Sequence, residues 1–154
     1  MTRDIAIRPA RADEAPALAA LVAEAYGHDV ARIGRVPGPM LDDYALRIVA
    51  RQAHVAVDDA GALLGLVVLE PCDDGALLID NIAVRPMAQG MGVGRALMLF
   101  AEAAARRRGA LCLRLYTHEK MVENIALYAR VGFVETGRVS EKGFARVYME
   151  KPLG

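Results

Sequence analysis

Gly90, Gly92 and Gly94 occupy alternate positions in the run Gln89-Gly90-Met91-Gly92-Val93-Gly94-Arg95. Glycine has no Cβ, so it takes φ > 0 at little cost and lets a ligand approach the backbone closely. Successive N–H groups turned outward at the positive end of a helix dipole make an anion site, and phosphate is the usual guest. The flanking sequence supplies that setting. Leu77-Leu78-Ile79-Asp80-Asn81-Ile82-Ala83-Val84 is dense and apolar and reads as a strand, and the stretch from Arg95 to Arg108 is helical in pattern. A tight turn that merely needs flexible residues is the plainer reading. The strand before the glycines and the helix after them favour a ligand.

The spacing narrows the ligand. A dinucleotide fingerprint needs G-x-G-x-x-G; Gly90 and Gly92 fit, but the third position falls on Arg95, which prevents close helix–strand packing. No G-x-x-x-x-G-K-[ST] run exists for a P-loop. The pattern Gln/Arg-x-x-Gly-x-Gly/Ala does fit, at Gln89 to Gly94. It resembles the acetyl-CoA pyrophosphate loop of the GNAT superfamily of N-acetyltransferases. A second run, Glu123-Asn124-Ile125-Ala126-Leu127-Tyr128-Ala129-Arg130-Val131-Gly132-Phe133, resembles that family's later helix, which carries a tyrosine and ends in Gly-Phe. The two motifs stand in the family's order and cover the C-terminal two-thirds of the chain.

The resemblance implies a fold and a site. The fold is α/β (mixed α+β), with a mostly antiparallel sheet of six to seven strands, helices on both faces, and a splay between the glycine-loop strand and the strand at Leu111–Tyr116. The pantetheine arm of acetyl-CoA would lie in that splay along Ile82, Ala83 and Val84. The backbone of Gln89, Gly90, Met91, Gly92, Val93, Gly94 and Arg95 would hold the pyrophosphate. Tyr128 would be the general acid that protonates the departing CoA thiolate. Two positions depart from the family pattern. Met121 stands where many members have asparagine, and Asn124 one turn before Tyr128, where a small residue is usual, bonds either the pantetheine or the helix backbone. Tyr116 stands where some members have a basic glutamate.

The chemistry suits this layout. Acetyl transfer from a thioester needs a neutral amine, a held carbonyl and a path for one proton. An alkyl ammonium has a pKa near ~10.4, so a base or a water chain must take a proton at neutral pH. A backbone N–H near Ile82–Val84 could polarise the thioester oxygen. Base candidates are Asp80, Glu70, His118 and Glu119, of which Asp80 on the cofactor strand and His118 beyond the Leu111–Tyr116 strand carry the expectation. No metal is needed, and Cys72 and Cys112 lack metal spacing and a nearby activating base in sequence. They read as free thiols of a cytoplasmic protein, with Cys112 buried in a strand.

Composition limits the alternatives. The 154 residues suit one domain, 1–154, and 55% hydrophobic with 25% charged residues is the balance of a folded globular chain. Nineteen Lys plus Arg against nineteen Asp plus Glu give no field for nucleic acid or an anionic membrane. No apolar run approaches the ~20 residues that span a bilayer, and no apolar leader follows Met1-Thr2-Arg3-Asp4. The partners expected are therefore acetyl-CoA and an amine acceptor; a homodimer is compatible with the resemblance. The rivals are a non-catalytic acyl-CoA-binding or sensor module and a nucleotide-binding α/β domain.

The elements that must position these residues follow from periodicity. Ile5–Arg8 alternates as a strand. A helix follows from an Asp13 cap, with Leu18, Leu21, Val22 and Ala25 on one face, to Gly27. The Gly- and Pro-rich stretch His28–Met40 is a loop, and Leu41–Arg51 a helix with Leu41, Tyr44, Ala45 and Ile48 inward. His54–Val57, Leu63–Leu69 and Ala76–Val84 are strands joined by short turns, hence antiparallel. Val93, Ala96, Leu97, Phe100, Ala103 and Ala104 form the inward stripe of the next helix. The strand Leu111–Tyr116 should pair parallel to its predecessor across that crossover. A helix at Met121–Val131, with Val122, Ile125, Ala126 or Leu127, and Tyr128 inward, and a hairpin turning at Ser140–Gly143 complete the chain.

Overall fold

The computed structural model describes residues 4–154, so Met1, Thr2 and Arg3, and with them most of the leader reading, lie outside the described residues. The elements run β1 (Ala6–Pro9), α1 (Ala15–Tyr26), α2 (Asp29–Ile33), α3 (Tyr44–Val49), β2 (Ala53–Val57), β3 (Leu63–Pro71), β4 (Leu77–Val84), α4 (Val93–Arg107), β5 (Cys112–His118), α5 (Val122–Arg130), β6 (Val134–Glu141) and β7 (Phe144–Pro152). The fold is mixed α/β with a seven-stranded, mostly antiparallel sheet in the order β1-β2-β3-β4-β5-β7-β6. The chain packs as two compact units that alternate in sequence. One runs to Leu69 and returns for Asn81–Ala101; the other comprises Glu70–Asp80 and Glu102–Gly154. The division passes through β4 and α4, so no linker composition marks it.

In the first unit β1 pairs antiparallel with β2, and β2 with β3. The α1 residues Leu18, Leu21 and Val22 reach full burial against Val55, Leu66, Val68 and Ala83, as their i, i+3, i+4 spacing requires. In the second unit Leu77–Ile79 of β4 pairs parallel with Leu113–Leu115 of β5, the crossover geometry expected of an intervening helix. β7 then pairs antiparallel with both β5 and β6. The β6–β7 hairpin turns on Lys142 and Gly143, at φ 50° and 78°, the left-handed pair that a two-residue hairpin loop needs.

Several local expectations need correction. Asp13 does not cap α1; it lies in a 3-10 turn, Ala12–Glu14, where the Glu14 carboxylate accepts from Arg11 N–H at 2.7 Å. The Arg8 guanidinium grips Glu14 at 2.8 and 2.9 Å, and this bond holds its pKa at about 2. Helix α3 starts at Tyr44, not Leu41, because Asp43 is its cap, its side chain accepting from Leu46 N–H at 3.2 Å. Leu41 ends a 3-10 turn and is 69% exposed, and Ala45 is exposed as well. The stretch His28–Met40 contains α2 and part of that turn. On α4, Ala103 faces solvent, while Ala101 and Ala105 join the buried stripe. Val122, Ala126 and Leu127 of α5 are exposed, and Cys112 is only half-buried.

Candidate functional site

The glycine segment has the backbone its composition requires. β4 ends at Val84, Pro86–Ala88 makes a 3-10 turn, and Gly90 and Gly92 follow at φ 83° and 86°. Nothing lies within 4 Å of where a Cβ would stand on either glycine, so their outer side is open. Helix α4 begins at Val93, and its first turn closes with Ala96 N–H on Gly92 O at 3.0 Å. The N–H groups of Val93, Gly94 and Arg95 precede that bond and have no acceptor within the helix. They point out of the N-terminus of a 15-residue helix. Such a donor set fits a pyrophosphate.

Gly65 on β3 seats this turn. A Cβ there would stand 2.7 Å from Ala83 O, 3.0 Å from Val93 and 3.1 Å from Leu97. Any side chain would have to displace β4 backbone and the start of α4. The orientation of β4 can be read from the same contacts. Arg85 N–H bonds Leu64 O at 2.9 Å, and Ala83 O also faces β3. By strand alternation the polar groups of Ile82 and Val84 face the other way. That is the edge on which an extended pantetheine amide could pair.

A buried polar chain ends at this edge. Asn81, 3% exposed, donates from Nδ2 to Tyr44 Oη at 3.0 Å, and Tyr44 Oη donates to Pro39 O at 2.6 Å. Tyr26 Oη lies 2.8 Å from Asn81 Oδ1 and 2.9 Å from Ile82 O. None of Tyr26, Tyr44 and Asn81 was identifiable as a site residue in the sequence. Their one shared signal is a polar atom placed on otherwise apolar stretches.

The second unit holds the acid–base candidates. Tyr116 Oη donates to Asp80 Oδ1 at 3.0 Å. The Tyr116 ring lies 5.5 Å from Tyr148, its cross-strand neighbour, and the Arg146 guanidinium stacks on it at 4.2 Å. Arg146 bonds Glu141 at 3.0 Å, and Tyr148 Oη also donates to Glu141. These bonds, Tyr148 first, keep the Glu141 carboxyl below its ordinary range. Burial, then the charge of Asp80, pushes the Tyr116 phenol well above its ordinary pKa, so Tyr116 stays a hydrogen-bond donor. His118 Nδ1 accepts from Lys120 N–H at 3.1 Å, and burial lowers the pKa of the ring. The basic nitrogen of its neutral form is thus engaged in a turn. Glu119 is exposed and Glu70 half-buried.

Tyr128 sits in α5 with its ring edge-on to Phe133 at 5.9 Å. Burial raises its pKa above the ordinary phenol value, so the phenol is protonated at neutral pH. Asn124 is half-buried; its backbone N–H bonds Met121 O at 3.1 Å. Met121 is buried at the helix start and supplies no side-chain cap. Burial raises the Cys72 and Cys112 thiols above their ordinary pKa, which disfavours their thiolates at neutral pH. Among the described residues no group of three or more His, Cys, Asp or Glu could hold a metal ion, and no helix is long and apolar enough to cross a membrane.

Comparison with known proteins adds to this geometry. The acetyltransferase (GNAT) domain model matches residues 50–135, more than half of the chain. Nourseothricin acetyltransferase is 34% identical, with a TM-score of 0.60, over 66% of this chain and 65% of its own. The match thus spans less than two thirds of that relative. A GCN5-related N-acetyltransferase from Rhodopseudomonas palustris is 26% identical over 99% of both chains, with a TM-score of 0.77. The PaiA N-acetyltransferase of Thermoplasma acidophilum, solved with coenzyme A, shares the fold at a TM-score of 0.79 and 20% identity, over 97% of this chain and 99% of its own. No curated protein sequence matches the chain.

Proposed function

Because the chain belongs to the GNAT acetyltransferase family, we propose that it moves an acetyl group directly from acetyl-CoA to a primary amine. The observation that carries this reading is the glycine turn. Two residues at φ 83° and 86° with open outer sides lead into the N–H groups at the start of α4, beside the outward-facing edge of Ile82 and Val84. The backbone from Gln89 to Arg95 would bind the pyrophosphate and Ile82–Val84 the pantetheine. Metal is not part of the proposal. The coenzyme A in the Thermoplasma acidophilum structure and the N-acetyl activity in the relatives' names support it.

The roles of the remaining residues follow from the reaction. The amine nitrogen attacks the thioester carbonyl, forming the C–N bond. The alkyl ammonium first loses one proton to become the attacking amine, nitrogen sheds another to solvent as the C–N bond forms, the C–S bond breaks, and the thiolate takes a proton. We assign removal of the ammonium's proton to Asp80. Its carboxylate is held by Tyr116 at 3.0 Å, whereas the basic nitrogen of His118 is occupied by Lys120 N–H. We assign the thiolate's proton to Tyr128, protonated at neutral pH and suited to a thiolate, whose conjugate acid is the stronger acid. An N–H of the Ile82–Val84 edge would polarise the acetyl oxygen.

The test is acceptor-dependent release of CoA with nourseothricin, spermidine, L-lysine, tyramine and an alanine-starting peptide. At least one amine should give an N-acetyl product. Binding of acetyl-CoA with no release on any amine would favour the non-catalytic acyl-CoA-binding module.

A further inference from the structure

β6 is the last strand of the sheet, and among the described residues only β7 pairs with it. All its residues but Gly137 and Glu141 are exposed, Val134 at 62% and Val139 at 46%. An open edge of this kind is a template for another strand. Its pairing with β7 fixes which side chains share a face. Val134 stands opposite Glu150 and Val139 opposite Arg146; Glu135 stands opposite Met149 and Arg138 opposite Val147. Glu150 and Arg146 are an even step apart on β7, and so are Met149 and Val147, so each set projects from one face. On a regular strand Val134 and Val139, five residues apart, would project from opposite faces. The register shift between Glu135 and Gly137 puts them on the same one. It likewise puts Glu135 and Arg138 together on the other face, where their side chains meet at 2.5 Å.

We propose that β6 is a self-pairing edge that joins two copies of this chain into a dimer. Laid antiparallel on a second copy, with a two-fold axis between Thr136 and Gly137, each Val134 faces Val139 of the second copy. Each Glu135 faces Arg138 of the second copy. Valine meets valine on one face of the joined sheet, and carboxylate meets guanidinium on the other. The two register shifts meet at the axis, so neither puts the strands out of step. Charges on an edge ordinarily keep other strands away. Here Glu135 and Arg138 reject an unlike strand and accept a second copy, which makes them specificity elements of the contact. The contact is isologous and closes at two copies. One strand from each copy is a small interface, so the dimer forms in a concentration-dependent way. The pairing uses no residue of the proposed acetyl-CoA site and stands apart from that reading.

The experiment is sedimentation velocity from low micromolar to near-millimolar protein. Wild type should move from 16.6 kDa to twice that mass as concentration rises. Arg138→Glu sets Glu135 against a glutamate of the second copy, and Glu135→Arg sets Arg138 against an arginine. Each variant alone should associate more weakly by about tenfold or more. Mixed one to one, the two variants should dimerise with each other, because every facing pair is again opposite in charge. The exchanged variant Glu135→Arg/Arg138→Glu should dimerise as wild type does. Neither a loss of structure nor a contact through another surface would give this pattern. Should a charge variant fail to fold, Val139→Lys serves; it sets a lysine against Val134 and should also weaken association. A wild type that stays monomeric throughout, a folded single variant that dimerises as wild type does, or a mixture that stays monomeric would overturn the proposal.

Discussion

Tyr128→Phe is expected to lose about 10²- to 10⁴-fold in kcat, the usual worth of a positioned general acid, while still binding acetyl-CoA. The substitution removes one oxygen and leaves the ring, so the edge contact with Phe133 at 5.9 Å survives and α5 should stay in place. On the proposed assignment, what goes is the proton for the CoA thiolate. The pH profile provides a second reading. Burial moves the phenol pKa up, and an acid works only while protonated, so the wild-type alkaline fall due to Tyr128 should lie above the ordinary phenol range. In Tyr128→Phe that limb should vanish. Steady-state kcat against pH for the two proteins checks both points. Wild-type turnover in the variant would remove Tyr128 from the mechanism and leave water as the acid.

The second large effect is expected of Asp80→Asn, again about 10²- to 10⁴-fold in kcat/KM at neutral pH. Asparagine keeps an oxygen able to accept from Tyr116, so the bond now 3.0 Å long can persist while the base is gone. The loss should shrink as pH rises. At neutral pH nearly all of an alkyl amine is protonated and needs the base; as pH approaches ~10.4 the free amine supplies itself. The ratio of wild-type to variant kcat/KM, measured from pH 7 to 10, should therefore fall steadily. A ratio that stays constant would assign Asp80 to structure, and a ratio near one throughout would return the role to His118 or water.

How much of this was legible in the sequence differs with the range of the interaction. The glycine turn was legible because φ > 0 at Gly90 and Gly92 is a local demand that few other residues meet, and the strand and helix around it are patterned by period. The parallel β4–β5 pairing followed from the length of the α4 crossover. Asp43 as the α3 cap was open to reading; the apolar Leu41 drew the helix start too early. Long-range polar contacts were not legible. Tyr26 and Asn81 are 55 residues apart, Tyr44 and Asn81 37, and Asp80 and Tyr116 36. No spacing rule links such pairs; only the packing of α1, α3 and the strands brings them together. The two-unit division was hidden for a related reason. Its boundaries fall inside β4 and α4, where secondary structure is continuous.

The central claim is that the glycine turn binds acetyl-CoA, and the most direct test is thermal unfolding with and without it, in wild type and Gly92→Trp. A ligand that binds only the folded state at a hundred times its Kd adds about 2.7 kcal/mol, or roughly 5–10 °C for a chain of this size. Gly92 has φ 86° and nothing within 4 Å of its Cβ position, so a side chain there strains the backbone of one residue while its Cβ meets no neighbour. Tryptophan places an indole where the proposed site would hold the pyrophosphate. The account predicts a clear upward shift in the wild type and none in the variant. No shift in the wild type, or an equal shift in both proteins, would contradict it.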